Sequence, residues 1–346
     1  AMLAMRERLR RELGREILFI GEGWIFGEVA NGARFVQASQ LSLKGDSIGT
    51  FSDRGRDAAR GGSFGSVKDL MASKGWLNGL LDDPAKRADA LRAADMLRLQ
   101  LAGTLAEFRF TTHDGITKRG AEIDYGGQPA GYVAQPGDAV HYVENHDNHT
   151  LFDANVLKLP ASASMLERLH RQNVGNALVA WSQGTVYIHA GQELLRSKSL
   201  DRNSYDSGDA FNRLDYSLRD NGFGHGLPPQ PDNGRDWDTI APLLGNGALR
   251  PTPAELRKAV AAFHDVMRIR ASSSLFALPT AEEVQKRLRF HAAGAGQDPA
   301  LIVAELDGAG WPGARFQGLL LAFNGAGQAR EFSVPGAWRL HPVHTA

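Results

Sequence analysis

The 346 residues are enough for a large hydrophobic core and predict two domains. The 39 Lys and Arg residues balance 39 Asp and Glu residues, so no net charge favours binding to nucleic acid or to an anionic membrane. The absence of cysteine excludes disulfides, thiolate metal sites and a cysteine nucleophile, and no apolar run approaches the roughly 18–20 residues of a membrane-spanning helix.

The chain opens with a predicted helix followed by a predicted strand. Apolar residues recur at helical spacing over 2–13, and Gly14 is placed to end the helix. Charged residues fall where the apolar core of a signal peptide would have to lie, so this segment is not a signal peptide. Residues 17–20 are all apolar and rich in strand formers, and they predict a short buried strand that ends at Gly21.

The next segments alternate between strand and helix patterns. Residues 47–53 predict a second short strand, and the polar stretch DRGRDAARGG after it predicts a loop or a single helical turn. Asp83 suits the N-cap of a long helix, with proline behind it and leucines on one face as far as Leu105. Residues 109–138 are rich in Gly, Pro and Asp and predict a long excursion, of the kind that is often functional or mobile.

Further strands and helices continue this alternating part. AVHYVENHD (139–147) and TVYIHAGQE (185–193) each predict a strand with a polar end. Ser164 and Glu167 have the spacing of a capping box and predict the start of the helix between these strands. Thr252, followed by proline, is the predicted cap of the last helix.

From about residue 280 the pattern changes to short β-type runs separated by Gly-rich turns. The runs are RLRFH, ALIVAEL, GLLLAFN, REFSVPG and WRLHPV. They predict an antiparallel β-sandwich over 280–346, preceded by a first domain over 1–279. Alternation of strands and helices in the first domain is typical of (β/α) barrel units, and the four strands before residue 195 are half of a closed barrel.

Two acids follow the ends of predicted barrel strands. Glu22 lies between two glycines with Trp24 just beyond it, and Asp147 ends the run 139–147. Loops at the carboxyl ends of barrel strands converge on one face, so these acids can become neighbours. Glycoside cleavage requires two carboxylates in one cleft, although on spacing alone two unrelated loop acids are the simpler interpretation.

Two other motifs carry little weight. His141, His146 and His149 lack the fixed helical spacing of a zinc motif, and hydrogen bonding to substrate hydroxyls suits His146 better than metal binding. GGSFG matches the letters of a serine nucleophile elbow around Ser63, but a polar segment precedes it where the elbow needs a strand. We therefore regard a serine hydrolase as a remote alternative.

Four segments resemble pullulanase and limit dextrinase of the α-amylase superfamily. They are LFIGEGWIFGEVANGARFVQASQ, IGTFSDRGRDAARGG, VHYVENHDNHTLFD and YIHAGQELLRSKSLDRNSYDSGDAFNRLD. The resemblance implies an α/β fold: the second half of a (β/α)8 TIM barrel, strands 5–8, followed by a truncated antiparallel β-sandwich. It also implies retaining hydrolysis of α-1,6 branch linkages in pullulan, starch or glycogen limit dextrins.

The resemblance assigns roles to individual residues. Glu22 matches the general acid/base on the fifth strand, Asp147 the aspartate that stabilises the transition state, and His146 its hydroxyl-binding neighbour. Trp24 resembles a wall residue near the cleavage point. Glucan-binding positions after the eighth strand are matched by Asn203, Tyr205 and Asp209.

One catalytic position has no counterpart. The nucleophile of the family is an aspartate shortly before the opening helix of this chain, so we expect a fragment that is inactive alone. The resemblance allows calcium as a cofactor, although the sequence has no convincing Asp-rich ligand loop. The expected partner is an α-glucan, and we expect no nucleic acid partner and no membrane-spanning segment. Two rival interpretations remain: a different α-glucan hydrolase, such as an isoamylase or α-amylase, and a non-catalytic glucan-binding remnant.

Overall fold

The computed structural model describes residues 2–345, in which helices and strands alternate until a strand-rich segment begins after residue 287. The helices are α1 (Met2–Leu13), α2 (Asp53–Arg60), α3 (Val67–Ala72), α4 (Arg87–Leu101), α5 (Leu151–Lys158), α6 (Met165–Ala180), α7 (Asp209–Asn212), α8 (Gln230–Asn233), α9 (Trp237–Leu244), α10 (Pro253–Ala271) and α11 (Ala281–Arg287). The strands are β1 (Phe19–Gly21), β2 (Ile48–Ser52), β3 (Arg109–Thr111), β4 (Thr117–Arg119), β5 (Asp124–Tyr125), β6 (Gln128–Pro129), β7 (Ala139–His141), β8 (Thr185–Val186), β9 (Leu288–His291), β10 (Leu301–Asp307) and β11 (Gly318–Asn324).

A curled parallel sheet holds the first part of the chain together. Its strands lie in chain order, β1-β2-β7-β8, and every neighbouring pair is parallel. Helices connect β2 to β7 and β7 to β8, as parallel pairing requires. The carboxyl ends of all four strands therefore point the same way, and the loops after them gather at one edge, as in half of a barrel.

The N-terminal helix α1 agrees with the prediction, and so does the second strand, β2, which covers Ile48–Ser52 within the predicted range 47–53. The helix α1 ends at Leu13, and Gly14 follows with φ +64°, a left-handed conformation suited to glycine. The strand β1 covers Phe19–Gly21 instead of residues 17–20, and the prediction that it is buried was wrong, because it lies at the edge of the sheet. It forms one edge of the sheet, and no other described strand pairs with its outer side.

The prediction of a loop or single turn after β2 was wrong. Residues 53–60 form the two-turn helix α2, which buries the arginine side chains of Arg54, Arg56 and Arg60. Hydrophobic periodicity misses such a helix because its inner face is charged. Gly55 lets α2 lie close to α4, since a Cβ there would come within 1.5 Å of Gln100 Oε1.

The segment from residue 83 to 138 is more ordered than predicted. Asp83 accepts a hydrogen bond from the Ala85 N–H (2.9 Å) and caps only a single 3-10 turn, and the long helix α4 starts at Arg87. The helix ends at Leu101, before Leu105. The excursion 109–138 contains two hairpins, β3–β4 and β5–β6, and packs buried side chains such as Tyr132 into the core.

The later helix caps were predicted correctly, but the fourth strand was overestimated. Ser164 accepts the Glu167 N–H at the start of α6, and Thr252 forms a full capping box at the start of α10. The strand β8 has two residues, where the sequence predicted 185–193. Gly191 has a positive φ, so the chain turns there and the polar end of the predicted run does not extend the strand.

The C-terminal segment forms one antiparallel sheet of three strands with β10 in the middle. The described residues of REFSVPG and WRLHPV include no strand, because those runs are largely exposed and lack a partner in the sheet. The sheet packs on α4 and α6 and shares one core with them, including Leu97, Leu178 and Ile302. The sandwich and the boundary at residue 280 therefore stay predictions.

Among the described residues, no helix combines the length and the apolar character needed to cross a membrane.

Candidate active site

A cavity of about 930 Å³ opens at the carboxyl edge of the parallel sheet. Its walls come from the loops after β1, β2, β7 and β8 and from the start of α8, so they join parts of the chain that are distant in sequence. The lining residues are Gly23, Trp24, Ile25, Phe26, Gln40, Asp53, Arg56, Phe64, Gln128, Tyr142, Asn145, Asp147, Asn148, Arg202, Asn203, Pro231, Asp232 and Arg235. Aromatic faces mixed with carboxylate, amide and guanidinium groups are suited to binding a polyhydroxylated ligand.

Two loops bring Glu22, His146 and Asp147 together at this edge. One imidazole nitrogen of His146 and one carboxylate oxygen each of Glu22 and Asp147 lie within 4.8 Å of one another, and all three side chains are exposed. The His146 Nε2 atom is 3.6 Å from Asp147 Oδ1. The sequence placed Glu22 and Asp147 at the ends of different strands. Both strands, β1 and β7, pair in parallel with β2, so the loops after them reach the same edge of the sheet and the two acids become neighbours.

The loop that carries Glu22 is held by backbone contacts. Gly23 has φ +74°, and a Cβ at this position would lie 2.8 Å from Thr50 Cγ2, so glycine allows the loop to lie against β2. The Gln40 N–H donates to the Gly23 carbonyl oxygen (3.0 Å), and Gln37 Nε2 donates to the Trp24 carbonyl oxygen (3.1 Å). These bonds fix the start of the loop although Glu22 itself stays exposed.

One buried arginine, Arg56, lines the cavity beside this loop, and we call this part of the wall the floor. Arg56 pairs with Asp57 (Nε–Oδ1 2.7 Å), donates to the Tyr142 hydroxyl, and lies 6.0 Å from the centre of the Trp24 ring. Burial raises the pKa of Tyr142, so its hydroxyl stays neutral and available for hydrogen bonding. The floor therefore combines a fixed positive charge with a neutral hydroxyl.

The predicted binding residues divide into two groups. Trp24 and Asn203 line the cavity, and Asn203 Nδ2 donates to Asp232 Oδ2 (2.9 Å). Tyr205 is 80% exposed, and Asp209 lies exposed at the start of α7; neither is among the lining residues. The structure therefore gathers Trp24 and Asn203 at the cleft, but it leaves Tyr205 and Asp209 outside the cavity wall.

Comparison with known proteins shows what this chain is similar to. A family model described as "Alpha-1,6-glucosidases, pullulanase-type, C-terminal" matches residues 218–346. The chain is 41% identical over 339 residues to the pullulanase of Klebsiella pneumoniae and 40% identical over 305 residues to the chloroplastic pullulanase 1 of Arabidopsis thaliana. These alignments cover 95% and 85% of the chain.

The chain belongs to the pullulanase family.

Solved structures of the Klebsiella pneumoniae pullulanase have the same fold over most of this chain. The apo structure matches with a TM-score of 0.88 at 40% identity and covers 95% of the chain. A complex of that enzyme with maltotriose also matches with a TM-score of 0.88. The chain spans 31% of the length of the two pullulanase sequences and 32–36% of these solved chains.

Several residues of this cleft were not predicted from the sequence. Phe64 is 73% exposed and lines the cavity, and the Gly65 carbonyl behind it accepts from Arg202 Nη1 (3.0 Å) and Arg235 Nη2 (2.8 Å). An aromatic residue in a glycine-rich loop was the available signal. Ser63 is buried and follows a helix, so it cannot serve as the exposed nucleophile of a strand-to-helix elbow.

Among residues 2–345, the three histidines do not come together as a metal-binding group. Burial lowers the pKa of His141 to about 4, and His149 is also buried, whereas His146 is exposed at the cleft. The group that could hold a metal, Glu22 with His146 and Asp147, offers one imidazole and two carboxylates. Calcium takes about 6–8 oxygen ligands, so this donor set does not fit it, and no catalytic step is assigned to calcium.

Proposed function

We propose that this chain carries the acid/base side of an α-1,6-glucan hydrolase site built on strands 5–8 of a (β/α)8 barrel. The observation that supports it most is the approach of Glu22 and Asp147 within 4.8 Å beside a cavity of about 930 Å³. Maltotriose bound to a structural relative supports an α-glucan as the ligand. Pullulan and limit dextrins are the proposed substrates of the complete enzyme.

In the complete enzyme, Glu22 would protonate the oxygen of the α-1,6 linkage while a carboxylate that this chain does not contain attacks the anomeric carbon and displaces that oxygen. Glu22 would then take a proton from the water that hydrolyses the glycosyl-enzyme bond. Asp147 and His146 hold sugar hydroxyls, and Asp147 also meets the positive charge that develops on the distorted sugar ring. These contacts accelerate the reaction only if they are stronger in the transition state than in the bound substrate. Trp24 would stack on a glucose face at the cavity wall.

The binding loop after β8 would contact the sugars further from the bond that is cleaved. Asn203 faces the cavity and can bond to glucose hydroxyls. Tyr205 and Asp209 are exposed outside the wall, so we assign them to a longer glucan chain that extends past it. Their contribution to binding should be smaller than that of the lining residues.

Retaining hydrolysis also needs a nucleophilic carboxylate about 5–5.5 Å from the acid. By family resemblance that position precedes α1 and matches no residue of this chain. We therefore propose that the 346-residue chain binds α-glucans but does not turn over pullulan. Acid catalysis alone contributes only about 10²–10⁴-fold, which is too little for measurable hydrolysis.

The test uses the purified chain and two measurements. Calorimetric titration with maltotriose should give saturable binding that Trp24→Ala weakens. Incubation with pullulan should release no more reducing ends than the Glu22→Gln variant does. Absence of maltotriose binding would overturn the glucan-binding proposal, and turnover that Glu22→Gln abolishes would overturn the proposed inactivity; maltotriose as product would then indicate α-1,6 cleavage, and panose α-1,4 cleavage.

A further inference from the structure

A buried lysine, Lys198, hydrogen-bonds to the backbone of the turn that carries His146 and Asp147. Lys198 Nζ donates to the carbonyl oxygen of His146 (2.9 Å), and the Lys198 side chain is fully buried. Within the turn, the Asp147 N–H donates to Asn145 Oδ1 (3.0 Å), and Asn148 has φ +59°. The lysine therefore contacts the backbone of the turn, and the two functional side chains remain exposed.

Lys198 is itself tied to the helix that follows this turn. Its backbone N–H donates to Asp153 Oδ2 (2.9 Å), and the Ser197 hydroxyl donates to Asp153 Oδ1 (2.6 Å). Asp153 is fully buried in the first turn of α5. The turn, the helix and the Ser197–Lys198 segment thus form a closed ring of bonds.

The Lys198 segment has a constrained backbone and leads to another part of the cavity wall. Leu195, Ser199 and Leu200 all have positive φ, a conformation that residues other than glycine adopt only when their surroundings impose it. The next residues, Arg202 and Asn203, line the cavity. Constraint of this kind clusters at functional sites, where it fixes side chains in advance of binding.

We infer that Lys198 is a positioning residue, which fixes the turn of His146 and Asp147 relative to the cavity wall formed by Arg202 and Asn203. This inference rests on the proposed glucan site. A buried ammonium group is costly, and its contact with a carbonyl beside the candidate residues is a structural reason to retain it. Burial lowers the pKa of Lys198 to about 8, while attraction to Asp153 and Asp201 opposes that shift, so the group is largely charged at neutral pH.

The test compares Lys198→Met with Arg168→Met in the 346-residue chain. Arg168 is a matched control because it is also a buried cation that holds backbone carbonyls, those of Asn155 and Pro160, and it lines no part of the cavity. Both variants should lose thermal stability. Only Lys198→Met should shift the amide NMR resonances of residues 145–148 and weaken maltotriose binding, by about tenfold.

A milder variant covers the case in which Lys198→Met does not fold. Ser197→Ala keeps the lysine but removes the hydroxyl that donates to Asp153, and it should weaken maltotriose binding by about threefold. Unchanged amide resonances over 145–148 in the Lys198 or Ser197 variant would overturn the inference, as would an equal loss of affinity in Arg168→Met. If the unmodified chain does not bind maltotriose, the proposed function fails, and the resonances of the turn alone decide the inference.

Discussion

The two candidate acids lie at one edge of the same sheet, but the strands that lead to them are packed differently. Glu22 follows β1, and of residues 2–38, all of them described, none is buried. Asp147 follows β7, which lies between β2 and β8 and is buried along its length. Several buried hydrogen bonds brace the turn after β7, whereas the Glu22 loop depends on one strand pair and a few backbone contacts.

This contrast indicates that the surrounding structure holds Glu22 less firmly than Asp147. Ile20 in β1 and Phe26 in the loop after it are exposed apolar residues, 44% and 63% respectively. The edge of β1 also offers backbone groups with no described partner strand. Local contacts position a side chain at such an edge, and the edge can open at a free-energy cost far below that of unfolding the whole chain.

The largest expected effect separates the core from the N-terminal region. Leu97 is fully buried in α4, and Leu97→Ala should lower the free energy of unfolding by about 4 kcal/mol because it leaves a cavity. Leu13 in α1 is 52% exposed, and Leu13→Ala should change it by less than about 0.5 kcal/mol. Urea unfolding of both variants gives the comparison, and equal losses would show that α1 is part of the core.

A pH effect tests the burial of β7. Burial lowers the pKa of His141 to about 4, so the unfolded chain takes up a proton near pH 6.5 that the folded chain resists. The free energy of unfolding should therefore fall by about 3 kcal/mol from this group as the pH drops from 6.5 to 4. Urea unfolding at several pH values should show that His141→Leu removes this slope.

One buried acid acts in the opposite direction within the same pH range. Burial raises the pKa of Asp153 to about 6, so its contribution to stability increases as the pH falls. The difference between the wild-type and His141→Leu slopes cancels this contribution, because both proteins contain Asp153. Parallel slopes in the two proteins would contradict the burial of His141.

Hydrogen exchange compares the stability of strands β1 and β7 directly. Amides of β1 (Phe19–Gly21) should be protected at least about 100-fold less than those of β7 (Ala139–His141), since opening an exposed edge strand costs little free energy. Exchange followed by NMR or mass spectrometry measures the ratio. Equal protection would mean that β1 opens only with the whole fold.

The smallest predicted effect compares two aromatic residues of the site. Trp24 lines the cavity, and Trp24→Ala should weaken maltotriose binding by about tenfold, or ~1.4 kcal/mol, through loss of ring stacking. Tyr205 is 80% exposed outside the wall, and Tyr205→Ala should change binding by less than about twofold. Titration calorimetry distinguishes them, and a larger effect at Tyr205 would place the ligand elsewhere.

The sequence predicted best where local signals were strong. The helix at 2–13 and the caps at Ser164 and Thr252 follow from side-chain chemistry within a few residues. It predicted poorly where tertiary contacts decide: α2 buries arginines against distant groups, and β8 ends after two residues.

The same limit applies to the site. Family resemblance marked Glu22 and Asp147. Phe64 reaches the cavity wall, and Lys198 reaches the backbone of the His146 turn, through loops whose course no local pattern encodes. Their roles depend on distances between segments far apart in the chain. Such distances are set by the packing of the sheet and its helices.

The most direct test of a shared cleft is carboxyl ¹³C NMR of Glu22 and Asp147 during a maltotriose titration. Carboxylate oxygens of the two side chains lie within 4.8 Å of one another, so one bound sugar should perturb both carboxyl resonances. We predict that the two resonances shift along a single saturation curve with one dissociation constant. Saturable binding that moves only one of them, or neither, would contradict the account.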